Sequence, residues 1–127
     1  VLLASADPSA WLARAAVRGL LGDAKGAALD AENATRLAPK TPFVWQSRAV
    51  LESQWGKHGA ALVSIENALT FDAGKDPKLW LSRGQIRERA GDLASALEDY
   101  ERFLKLAPRS PEAVKLRARV RDLRRRE

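Results

Sequence analysis

From Asp7 an apolar pattern at helical spacing runs to Leu20 and Leu21, breaks at Gly22 and Asp23, and resumes through AKGAALDAENATRLAP to a stop at Pro39. Two helices joined by a tight turn are the elements this predicts. Comparable openings recur along the chain: DPSAW at 7–11, TPFVW at 41–45, DPKLW at 76–80 and SPEAV at 110–114. An Asp, Thr or Ser followed by Pro suits a helix start, because the side-chain oxygen accepts an orphan backbone N–H while Pro occupies a position where its missing N–H costs nothing. Asp7, Thr41, Asp76 and Ser110 are therefore read as N-caps, and Gly22, Gly56 and Gly91 share the slot where a helix-to-helix turn uses a glycine. Helices follow over about 9–21, 24–37, 42–55, 58–71, 77–90, 93–106 and 111–125, with the six prolines opening or closing them.

The four openings lie 34, 35 and 34 residues apart, a fixed period that marks stacked repeats. One helical hairpin cannot bury both of its faces. Three stacked hairpins can, provided that a helix apolar on one side covers the last face. The C-terminal segment suits that task, with Val114, Ala118 and the stripe Leu116, Val120 and Leu123 at helical spacing and Arg117, Arg121, Arg124 and Arg125 elsewhere around the helix. The expected organisation is all-α: residues 1–7 as the tail of a preceding helix, repeats at 8–41, 42–76 and 77–110, and a basic capping helix at 111–127.

Slot by slot, the Trp position holds Trp11, Trp45 and Trp80, the small position after it Ala15, Ala49 and Gly84, and a second-helix position Ala27, Ala61 and Ala96. On these residues the chain resembles the tetratricopeptide repeats, whose unit is a 34-residue helical hairpin. The middle unit departs most at its end, where FDAGKD carries one extra residue, and the family's Leu and Tyr slots in the first helix hold Arg14, Arg48, Arg83 and Arg18, Glu52, Arg87. The resemblance implies a right-handed solenoid whose first helices line a concave groove. It places Leu12, Ala16 and Leu20 in that groove, with Phe43, Gln46, Val50 and Gln54 and then Leu81, Gln85 and Arg89. Ser9, Gly19, Ser53, Lys78 and Glu88 fall on the same face by the same count. Relatives that hold chaperone tails by their terminal carboxylate use Lys and Asn where this chain has Leu12, Ala16, Gln46, Val50, Leu81 and Gln85, so that clamp is missing.

Charge alters the picture only at the end of the chain. The net charge is +6, and the last 19 residues hold most of it. Seven basic residues in KLRARVRDLRRRE could meet phosphates, yet no aromatics interleave them and a terminal cap must be polar outside in any case. Nucleic acid and membrane therefore rank below a protein partner. There is no Cys and a single His58, which excludes disulfides, Cys-ligated zinc and thiol catalysis. Glu98, Asp99 and Glu101 share one helical stretch and read as a solvated face. GDAKGAAL lacks the spacing of a phosphate loop, so no catalytic residue, cofactor or metal is assigned.

Counting along each hairpin sets Arg14 opposite Asp30 and Arg83 opposite Asp99, two expected interhelical ion pairs, while Arg48 meets Ser64. The function expected is a non-enzymatic scaffold holding an extended or helical segment of another protein in its groove. The alternative is self-assembly into a homo-oligomer through the same apolar surface or the edge at Val1, Leu2 and Leu3; anion binding by the basic helix comes third. Ala- and Arg-rich usage points to a bacterial source, and the compartment is not legible.

Overall fold

The computed structural model describes residues 5–126. Seven α-helices and no strands occur among them: α1 (Pro8–Leu20), α2 (Ala24–Leu37), α3 (Pro42–Gln54), α4 (His58–Asp72), α5 (Pro77–Arg89), α6 (Leu93–Leu106) and α7 (Pro111–Arg125). The pairs α1/α2, α3/α4 and α5/α6 are hairpins, α1, α3 and α5 lie side by side, and α7 packs on α6. The molecule is an all-α helical-repeat solenoid. The edge formed by Val1, Leu2 and Leu3, with part of the expected preceding helix, lies outside the described residues.

Capping chemistry explains where the helices begin. Asp7 and Asp76 accept the backbone N–H of Ser9 and Lys78 at 2.9 and 3.0 Å, as expected. The hydroxyls of Thr41 and Ser110 make no such bond, and their helix starts are closed by the backbone carbonyls, which take the N–H of Val44 and Ala113. Two further caps start the second helices: Asp23 accepts from Gly26 and Asp92 from Ser95. Between hairpin arms, Gly22, Gly56 and Gly91 have φ of 84°, 79° and 89°, the left-handed conformation that ends a helix at little cost only for glycine.

Within each hairpin the two helices meet through small residues. Ala15, Ala27, Ala49, Ala61 and Ala96 have no exposed surface. In the third hairpin a methyl group on Gly84 would lie 2.5 Å from Cε1 of Tyr100, so the ring needs glycine opposite it. The equivalent positions are Ala15 with Ala31 and Ala49 with Ile65, so the smallest residue stands where its counterpart is largest. Between hairpins, Leu12, Ala34 and Val44 join the first to the second, and Ile65, Ala68, Leu69, Leu79 and Ile86 join the second to the third.

Each repeat also carries a polar lattice. The indole N–H groups of Trp11, Trp45 and Trp80 donate to the carbonyls of Ser5, Pro39 and Gly74, six residues upstream, at 2.9, 2.7 and 3.1 Å. These rings are half-buried rather than sealed in the core, because one face is taken by Arg14, Arg48 and Arg83, about 5 Å from the ring centres. The guanidinium groups go on to a carboxylate. Arg14 and Arg18 meet Asp30 at 2.9 and 3.1 Å, and Arg83 and Arg87 both meet Asp99 at 2.9 Å. Both expected pairs are present, and a second arginine one turn on joins each.

Several expectations are corrected. Asp99 is 2% exposed and belongs to this lattice, unlike Glu98 and Glu101, which do face solvent. Arg48 bonds Glu52 and the hydroxyl of Thr35 instead of Ser64, and Ser64 donates to Glu52. Here the carboxylate has moved from the second helix to the first, into the slot of Arg18 and Arg87. On α7 the buried stripe is Ala113, Leu116, Val120 and Leu123, while Val114 and Ala118 are exposed. One residue turns about 100° around a helix, which carries Val114 off the face that Ala113 presents to α6.

The relocated carboxylate yields a test. Glu52→Arg alone leaves two guanidinium groups without an acid in a buried site, and we expect it to cost about 3–5 kcal/mol. Ser64→Asp alone crowds two carboxylates and also destabilises. Together they recreate the Arg–Arg–Asp arrangement of the other hairpins, so urea unfolding of the double variant should recover about 2 kcal/mol or more of the summed loss. Strictly additive losses would show that the three lattices are not equivalent.

Candidate functional site

The face on which α1, α3 and α5 lie together is indented along its length. A recess of about 420 Å³ between α1 and α3 is walled by Leu12, Ala13, Phe43, Gln46, Val50 and Gln54, among others. A second, about 340 Å³, lies between α3 and α5 and includes Val50, Ser53, Ser82, Gln85, Glu88 and Arg89. A third of about 340 Å³, between α5 and α7, includes Leu81, Gln85, Glu88, Tyr100, Lys115 and Arg119. Val50 borders the first two, and Gln85, Glu88 and Tyr100 border the last two. The three recesses therefore join into one trough.

The trough changes character along its length. At the α1/α3 end Phe43 is 62% exposed and Val50 39%, a large apolar surface that the fold leaves open. Toward α5 and α7 the walls become polar. Gln46 donates to the Ser82 hydroxyl at 3.0 Å, which ties α3 to α5 across the trough floor. Glu88 accepts from the Tyr100 hydroxyl at 2.7 Å and pairs with Arg119, which links α5, α6 and α7. Burial works to raise the Glu88 carboxyl, but hydrogen bonds from Arg119 and Tyr100 outweigh it and hold the group below its ordinary value. Burial, then the bond to Glu88, pushes the Tyr100 phenol up, and the bond to Glu88 raises the Arg119 guanidinium.

The residues singled out from the sequence divide as follows. Phe43, Gln46, Val50, Gln54, Leu81, Gln85 and Arg89 all line the trough. Leu12 borders it but is 8% exposed, because it packs against Ala34 and Val44. Ala16 is half-buried on α1 outside the three recesses, and Leu20 stands 89% exposed at the end of α1. Gly19 is covered by the Trp55 indole, which leaves no room for a side chain there. Sequence reasoning missed Ser82, Tyr100, Lys115 and Arg119. The 34- to 35-residue period could have found Ser82, which stands in the slot of Ala13 and Ser47, whereas α7 was read only as a lid and not also as a wall.

Other features carry less. His58 sits at the first position of α4 with its Nδ1 buried and unpaired. Among the described residues no group of three His, Cys, Asp or Glu side chains could hold a metal ion, and no helix is long and apolar enough to cross a membrane. Arg124 and Arg125 on α7 face Glu101 and Asp122 at the surface, at 2.9 and 4.0 Å.

Residues 65–121 match the tetratricopeptide repeat family model. No curated protein matches the chain above background. Similar solved structures include the first TPR of Spaghetti (RPAP3) bound to HSP90 peptide SRMEEVD, at TM-score 0.73 and 21% identity over 97% of each chain. The Arabidopsis OM64 TPR domain follows at TM-score 0.71 and 20% identity, covering 91% of this chain and 94% of that one. The N-terminal domain of stress-induced protein-1 (STI-1) from C. elegans gives TM-score 0.71 and 20% identity over 92% and 94%.

The Glu88 network predicts a pH dependence. A carboxyl held below its ordinary value in the folded state stabilises the fold above the unfolded value, and that contribution is lost as pH falls through the folded one. Wild type should thus be more stable than Glu88→Gln by a constant margin at neutral pH, and the margin should shrink below about pH 4. Thermal melts of both proteins between about pH 3 and 7 check this; a margin that does not change with pH would remove the ionic part of the account.

Proposed function

We propose that this chain, of which residues 65–121 match the tetratricopeptide repeat family model, is a non-enzymatic scaffold of that kind whose trough holds a segment of another protein. The observation that carries this reading is the open apolar surface at Phe43 and Val50, set in a recess that continues into polar ones. A trough built from three rows of helix favours an elongated occupant, an extended stretch or a helix, over a compact small molecule. Structures with this fold hold peptides, as the first TPR of Spaghetti does with an HSP90 peptide and the second TPR of human RPAP3 does with HSP70 peptide SGPTIEEVD. Those peptides are not carried over, since Leu12, Ala16, Gln46, Val50, Leu81 and Gln85 stand where a carboxylate-clamp relative has Lys and Asn.

A second reading, self-assembly, is favoured by one observation: Val17, Leu20 and Leu21 are 53%, 89% and 79% exposed at the end of the first hairpin, and the slot of Val17 holds the buried Ile86 in the third.

The two readings separate in one set of variants. Phe43→Ser and Val50→Ser should abolish capture of the partner from lysate of the source cells while leaving the melting temperature nearly unchanged, because both side chains are open in the free molecule. Leu12→Ser is expected to unfold the first hairpin instead, since Leu12 is core. Replacing Arg124, Arg125 and Arg126 by Gln should leave capture intact. If the trough variants bind as well as wild type while light scattering shows an oligomer lost on Val17→Ser, the scaffold reading gives way to self-assembly.

A further inference from the structure

The recess between α3 and α5 contains polar groups that the fold leaves unanswered. Ser53 is 6% exposed, and its hydroxyl has no hydrogen-bond partner. Folded proteins seldom keep a buried hydroxyl unpaired without a reason. Ser53 lines the recess, and its hydroxyl turns about a single χ1 bond. Arg89, on the opposite wall, makes no ion pair among the described residues. Glu88, the one carboxylate lining this recess, is already engaged by Tyr100 and Arg119.

We propose that this recess is a subsite for a carboxylate side chain, an Asp or Glu of an extended partner segment whose neighbouring apolar residue sits against Phe43 and Val50. The proposal rests on the scaffold reading above and specifies what the partner must carry. A guanidinium is donor-only, so with Ser53 and the Gln85 amide it offers donors to an acceptor that brings one negative charge. A carboxamide could place its N–H groups on the Ser53 and Gln85 oxygens but would bring no charge to Arg89. A cationic side chain would face Arg89 unopposed. A phosphate brings a charge of about −1.5 to −2, which one guanidinium beside Glu88 does not balance. The volume, about 340 Å³, suits one or two side chains. Val50 borders both this recess and the apolar one, which puts the acid and its apolar neighbour close together in the partner's sequence.

The test is a selection of random dodecapeptides displayed on phage against the immobilised 127-residue chain, followed by titration of a selected peptide and its variants. Expected is a family of peptides with an acid at fixed spacing from a Leu or Phe. Exchanging that acid for its amide should weaken binding to wild type about tenfold or more, and binding to Arg89→Gln by less than about twofold. Ser53→Ala should weaken the acidic peptide while leaving or raising the melting temperature, which a purely structural role of Ser53 would not do. Peptides that depend on Phe43 but carry no acid, or an amide penalty as large on Arg89→Gln as on wild type, overturn the subsite and leave the scaffold reading standing. Failure to select any peptide sensitive to Phe43→Ser overturns both.

Discussion

A buried carboxylate gripped by arginine is the interaction from which the rest of this architecture follows. Asp30, Glu52 and Asp99 are each almost wholly removed from water, and removing a charge from water is costly unless it is paired with good geometry. The pairing here is demanding. In the outer hairpins two guanidinium groups one turn apart on the first helix converge on one Asp of the second, which fixes both the axial register and the rotation of one helix against the other. A shift of one residue would turn the arginines by about 100° and strand the carboxylate. Packing through Ala27, Ala61 and Ala96 brings the helices close, but a smooth alanine surface tolerates sliding, and the ion pairs do not.

The lattice extends beyond the pair. Arg14, Arg48 and Arg83 each lie over a Trp ring whose indole N–H holds a carbonyl of the preceding loop. The loop between Asp72 and Pro77 shows the value of this tie. The extra residue of this repeat lies in α4, one residue longer than α2 and α6, and the loop that follows, left-handed at Ala73 and Gly74, still delivers the Gly74 carbonyl to Trp80. Register between repeats is thereby kept despite the insertion, so α5 continues the row begun by α1 and α3, and the trough is continuous.

How much of this the sequence discloses depends on whether the signal is local. Helix spans were legible to within about one residue because proline, cap and glycine each act within a turn of where they stand. The two Arg–Asp pairs were legible because repetition supplies the register between helices. The middle lattice was not: Glu52 and Ser64 are unremarkable singly, and only their contact reveals a carboxylate moved to the other helix. Val114 and Leu12 failed for a related reason, since periodicity gives the apolar face of a helix but not which edge of it a neighbour covers. The orphan hydroxyl of Ser53 belongs to the same class, because an unmet hydrogen bond is a property of the surroundings, and serine in a helix carries no mark of it.

These constraints also decide what is left for a partner. The helix-facing arginines Arg14, Arg18, Arg48, Arg83 and Arg87 are all committed to the carboxylates that hold the hairpins together, and Arg119 is committed to Glu88. Despite a net charge of +6, little of the positive charge therefore reaches the trough. What reaches it is Lys115 on the α7 wall and Arg89, in a slot that holds Leu20 and Gln54 in the earlier repeats and so steps from apolar through neutral to cationic along the row. A segment lying in the trough meets Phe43 and Val50 at one end and Arg89 toward the other. Such a gradient distinguishes the two directions in which a chain can lie. An acid near one end of the segment and an apolar side chain near the other match the trough in one orientation and oppose it in the reverse, so orientation as well as affinity is set by the same few side chains.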